Sequence, residues 1–167
     1  VGSAAVHPAR VPHALVRGPS SVVGLSAAEC FASRTAMLEH GVTDEFRLAL
    51  RADTAAAISN TDVDVDAVTA RRVTAVADGR GYINAARAMA RVNTVPLTDV
   101  LPNVRVHVDV VGADNDTFCP RKAADLLMAG LPDATYWEIP AAGHLMNVDN
   151  PCEVTRLITE LLKEHEA

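Results

Sequence analysis

The chain has 167 residues, a formal net charge of −6, 49% hydrophobic and 22% charged residues, the composition of a globular protein with enough apolar material for its own core. The acidic balance and the lack of a basic stripe disfavour a nucleic-acid partner, because phosphate binding rests on clustered Lys and Arg, and no apolar run approaches the roughly 18 residues a membrane span needs. A small molecule is the expected ligand.

The chain opens on Val1-Gly2-Ser3 without a methionine, and residues 1–7 read as the end of a core strand. Residues 8–100 are rich in alanine and read as a series of short helices. Ser26-Ala27-Ala28-Glu29 has the form of a capping box, in which the two polar side chains would satisfy each other's orphan amides, and Gly41 is placed to end that helix in a left-handed turn. Thr43 is expected to cap the next helix, with Phe46 and Leu50 on one face. Val65, Val68 and Val76 mark a third, and Ala85, Met89 and Val92 a fourth. Asp78-Gly79 and Gly81 punctuate the last two, and Pro96 and Pro102 mark the exit from this region.

Residues 101–167 follow a different grammar, strand, loop and helix taken twice. Val104, Val106, Val108 and Val110 alternate with Arg105, His107 and Asp109, which predicts a strand ended by Gly112. Pro120 suits the first turn of a helix with an apolar stripe of Ala124, Leu127, Met128 and Leu131. A short strand at 135–139 leads through Pro140-Ala141-Ala142-Gly143 to His144. The closing helix starts at Asn150 as cap, Pro151 and Glu153, with Val154, Leu157, Ile158, Leu161 and Leu162 as its buried face. Strands alternating with helices across short loops imply a parallel sheet flanked by helices.

Chemistry in such a sheet gathers at the carboxyl ends of the strands. The loop from Gly112 to Pro120 offers two carboxylates, Asp114 and Asp116, and the loop after the next strand offers His144. An acid and an imidazole on neighbouring strand ends can hold one tautomer and stabilise the protonated ring during nucleophilic catalysis. Met146, just past the histidine, is a candidate for lining a substrate pocket. His7, His13, His40 and His165 read as solvated, His107 as structural, and Asp109 as one more alternate strand position. Cys30, Cys119 and Cys152 are spaced too widely for a CxxC pair or a Cys/His cluster and read as reduced, buried or half-buried thiols. No charged-then-apolar leader is visible, so the cytoplasm is the expected compartment. No cofactor and no metal are implied.

The segments VVGADNDTFCP, LPDATYWEIPAAGH and NVDNP, with DGRGYINAARAMARVN and PLTDVLPNV ahead of them, resemble the α/β-hydrolases, in particular the capped branch of enol-lactone hydrolases, esterases and C–C bond hydrolases. The resemblance implies residues 1–7 as the strand before the cap, 8–100 as a helical cap, and 101–167 as the C-terminal part of the hydrolase core. In that family the triad runs nucleophile, acid, histidine, with the nucleophile on a G-x-S-x-G turn. His144 and an acid match; the half that would carry the nucleophile and the oxyanion amides has no counterpart here. The family's acid stands at fixed counts from the strand-end glycine and from the proline that starts the next helix. Counting forward from Gly112 gives Asn115, whereas counting back from Pro120 gives Asp116; Asp116 is favoured and Asp114 is the second choice. Gly24-Leu25-Ser26-Ala27-Ala28 has the local form of a nucleophile elbow, but Ser26 reads better as a helix cap, and the preceding segment is too short to supply flanking strands.

The resemblance thus implies hydrolysis of an ester, lactone or related acyl bond in a small molecule, with His144 as general base and then acid, Asp116 orienting it, and a serine from an N-terminal portion of the same fold, whether separate chain, cleaved partner or omitted segment. The alternatives are a binding module that holds a small ligand without catalysis, and an acyltransferase or cofactor-free lyase on the same scaffold.

Overall fold

A computed structural model describes residues 2–165. It divides into two compact units, one formed by residues 1–21, 57–63 and 97–167, the other by 22–56 and 64–96. The first holds an apolar cluster on each face of its sheet, and the second holds its own.

The first unit begins with a short helix α1 (Gly2–Val6), where a strand end is expected from the sequence. Ser3, Ala4 and Ala5 are followed closely by Pro8; alanine is the best helix former, and the proline forbids continuation. Val1 lies outside the described residues. The strand that precedes the helical region is instead β1 (Ala14–Arg17), so that region begins later than the boundary at residue 8. Next comes β2 (Val108–Ala113), followed by helix α6 (Arg121–Gly130), strand β3 (Ala134–Ile139), a single turn α7 (Met146–Asp149) and the closing helix α8 (Pro151–His165). Among the described residues the sheet has the order β1-β2-β3, all parallel, with Val110 opposite both Val16 and Tyr136.

Every residue of β2 is buried, as befits the middle strand of a sheet covered on both faces. The alternation read at 104–110 therefore belongs only partly to a strand. Residues 104–107 lead out of the turn at Leu101–Asn103, and the strand starts at Val108 and runs through Gly112 to Ala113. One face of the sheet packs Val108 and Val110 with Leu101, Val104, Ala124, Leu127 and Leu131. The other gathers Val111, Ala113, Ile139, Met146, Val154, Leu157 and Leu161. At about 25 cal/mol per Å² of apolar surface, each of these larger side chains contributes on the order of 2 kcal/mol. Leu162, expected on the buried face of α8, is 58% exposed.

The second unit is helical: α2 (Leu25–Leu38), α3 (Asp44–Ala57), α4 (Val65–Val76) and α5 (Arg80–Arg91). Its core is Leu38, Phe46, Leu50 and Val76, with Tyr82 meeting Phe46 edge to face at 5.4 Å. Gly41 takes the expected left-handed turn (φ +87°), and the Thr43 hydroxyl accepts from the Phe46 amide at 3.3 Å. The capping box does not form: α2 begins at Leu25, Gly24 is its cap, and no side chain bonds the first-turn amides. Ser26 is thus an exposed residue of the first turn. Gly24 is extended (ψ 160°), and glycine at a cap costs only a few tenths of a kcal/mol relative to serine. Among the described residues, no helix is long and apolar enough to cross a membrane.

Candidate active site

The first unit places the site at the carboxyl ends of all three of its strands. After β2 the chain turns at Asp116, which is buried to 4% exposure. One carboxylate oxygen, Oδ1, accepts the amides of Phe118 and Cys119 at 2.9 and 2.8 Å. The other, Oδ2, lies 2.9 Å from Nδ1 of His144. After β3 the chain turns through Ala141, a non-glycine residue at φ +52°. Asp114 holds that strained turn, accepting the amides of Ala141 and Ala142 at 2.9 and 3.0 Å. The two candidate acids have therefore separated: Asp116 meets the imidazole, and Asp114 meets the backbone that carries it. Strand β2 runs one residue past Gly112. With Ala113 rather than Gly112 as the last strand residue, the forward count also reaches Asp116.

The electrostatics follow from this wiring. Burial works against an ionised Asp116, but the imidazole and the two amides outweigh it and hold its carboxyl below the usual range. The hydrogen bond His144 donates to Asp116 raises the imidazole to about 9, helped by Cys119 and opposed by burial. The half-buried imidazole also meets the Phe118 ring at 5.4 Å between centroids.

Two supporting residues were not singled out from the sequence. Gly18, at φ +54° directly after β1, brings bare backbone against the imidazole: a Cβ there would lie 3.1 Å from Cε1 of His144 and 3.6 Å from Oδ2 of Asp116. Its signal was available in Gly18-Pro19 closing a short apolar run. Asp149, 5% exposed, accepts the amides of Gly143, Ser59 and Asn60 at 2.6, 3.0 and 3.1 Å. It ties the histidine loop to residues 57–63, and nothing in its local sequence announces so distant a set of partners.

Other expectations are corrected. Met146 is fully buried in the core cluster, so in this chain it packs the interior rather than lining an open pocket. His13 is not solvated but lies 2.8 Å from the buried Asp109, which also accepts from the Trp137 indole at 2.7 Å; Asp109 is thus a structural acid, not a bare alternate position. His107 precedes β2 and pairs with Asp133 at 2.9 Å. His7 and His40 are exposed, and the side chain of His165 lies outside the described residues. Cys30 and Cys152 are exposed, and Cys119 is half-buried beside His144 and Asp116, so spacing in sequence concealed one Cys/His cluster. Ser26 stands in no nucleophile elbow: no strand leads into α2, and the residue is not at a positive φ.

No family model matches the chain. Solved structures do. An α/β-hydrolase enzyme from a Medee basin deep-sea metagenome library aligns with a TM-score of 0.73 at 15% identity, over 96% of this chain and 59% of its own. The enol-lactonase from Burkholderia xenovorans LB400 aligns at 0.74 and 16%, over 97% and 60%. A thermophilic esterase from Thermogutta terrifontis aligns at 0.73 and 20%, over 93% and 57%. This chain therefore spans less than two thirds of the length of the proteins it matches.

Proposed function

From its fold, that of the C-terminal portion of an α/β-hydrolase, we propose that this chain supplies the acid and the histidine of a hydrolytic triad and works with an N-terminal portion of the same fold that supplies a serine. The observation that carries this reading is the 2.9 Å approach of His144 Nδ1 to a buried Asp116 across the ends of two adjacent parallel strands. The edge position of β1, with no neighbour on its far side among the described residues, suits such a portion.

In the reaction, a serine hydroxyl attacks an ester or lactone carbonyl while neutral His144 takes its proton. The imidazolium then returns that proton to the leaving alkoxide, and water repeats the cycle on the acyl-enzyme. The ionised Asp116 favours the imidazolium formed at each attack, which is the same preference that raises the histidine's pKa. Asp114 positions the loop and takes no part in proton transfer. The helical unit is assigned the role of the cap that sets substrate choice.

The test uses the assembled enzyme and a short-chain nitrophenyl ester or an enol lactone. Asp116→Asn lowers turnover by roughly three to four orders of magnitude, and Asp114→Asn by about tenfold or less. The reverse ranking at equal folded concentration overturns the assignment.

A further inference from the structure

Cys119 has no part in the triad. It follows Asp116 by three residues on the same turn, and that turn is closed by its own amide on Asp116 Oδ1 at 2.8 Å. The closure leaves Oδ2 for His144 and brings the thiol toward the same imidazole. A carboxylate oxygen of Asp116, the sulfur of Cys119 and a ring nitrogen of His144 all lie within 4.8 Å of one another. The other two thiols stand apart, exposed on α2 and α8.

Thiolate, imidazole and carboxylate together make a borderline-soft donor set. It suits Zn²⁺ and its congeners and is poor for Mg²⁺ or Ca²⁺, which demand oxygen shells. Tetrahedral bonds of about 2.0–2.3 Å place donors about 3.3–3.8 Å apart, so atoms lying within 4.8 Å of one another need to close by no more than about 1.5 Å. Rotation of the half-exposed Cys119 and His144 side chains supplies that.

We propose that Asp116, Cys119 and His144 form a binding site for a soft divalent cation of the zinc class, with the fourth position left to water. The cation takes the place of the thiol proton and of any proton on the ligating ring nitrogen. These protons pass to solvent, and no electrons change hands. Cation and catalytic proton compete for one imidazole, so occupation would silence a working triad; binding itself does not depend on the hydrolase reading.

The experiment uses the full chain carrying Cys30→Ser and Cys152→Ser, so that Cys119 is the one thiol left. Cadmium is titrated while the ultraviolet thiolate-to-metal absorption is followed, and zinc is then added as competitor. The expected result is one equivalent of cadmium bound with a saturating band, displacement by zinc, indifference to a large excess of magnesium, and at least about tenfold weaker binding in both His144→Ala and Asp116→Asn. Should either variant fail to fold, zinc added to the parent must still shift the His144 Hε1 resonance in proportion to occupancy. No stoichiometric band, a band unchanged by both variants, or an unmoved His144 resonance overturns the proposal.

Discussion

A carboxylate offers about four lone-pair directions, and this fold assigns those of Asp116 unequally: two backbone amides on one oxygen, one imidazole on the other. The amides fix the rotamer, so the second oxygen arrives at His144 already aimed. Two consequences are measurable on this chain by itself. The Hε1 resonance of His144 is expected to titrate near 9. In Asp116→Asn it should fall toward the ordinary value of about 6.5, while Asp114→Asn leaves it in place; the opposite pattern would make Asp114 the acid. At Gly18, alanine would have to adopt φ +54° with its Cβ against the ring. Gly18→Ala is expected to cost about 1–2 kcal/mol in urea unfolding and to displace the His144 resonance. A stability loss with an unmoved resonance would restrict Gly18 to a turn role. His144 and Asp116 were legible because turn, proline and strand signals flank them closely in sequence. Gly18 carries a local turn signal with Pro19, but its place beside them does not show, since it is separated from both by some hundred residues and its role is defined by what it lacks.

Elements were legible where their signals are local. Helices α3 and α4 follow their apolar spacing and α8 its cap and proline, whereas α5 turns Tyr82, Ile83 and Ala86 inward and leaves Ala85, expected on its apolar face, exposed. The strands were harder. A middle parallel strand is apolar on both faces, so β2 carries no true alternation, and the valines just ahead of it extended the apparent pattern into a turn. Strand β1 is four residues long between Pro12 and Gly18, too short to show a period. What makes it a strand is pairing with β2, which lies across the whole helical insertion. The opposite end of this sheet pairs histidines with acids, His13 against Asp109 and His107 against Asp133. The hydrogen bond to Asp133 raises His107 above its ordinary value. A raised histidine stabilises the fold fully below the unfolded value of about 6.5 and loses that contribution as pH climbs through the folded one. The stability difference between the parent chain and His107→Gln should accordingly shrink as pH rises from about 6, as followed by urea unfolding. A gap that is constant or widens with pH would mean the pair does not favour the protonated ring.

For the whole molecule, the sequence conveyed an α/β core portion joined to a helical region, and the structure revises the border between them. The helical unit begins at Val22 and ends at Pro96, and residues 57–63 return to the first unit, held there by Asp149. Contacts this distant leave no mark in a local pattern. His144 and Asp116 stand paired, and no elbow geometry surrounds Ser26; the proposed reading therefore takes its serine from an N-terminal portion of the fold. The most direct test treats this chain with a serine-directed fluorophosphonate, alone and together with the N-terminal portion of the fold, and weighs each polypeptide or segment by intact-mass and peptide analysis. We expect no adduct on residues 1–167, and one adduct on the N-terminal portion that is lost in His144→Ala. An adduct on Ser26 in the chain alone, abolished by His144→Ala, would contradict the split triad and make this chain a self-contained enzyme.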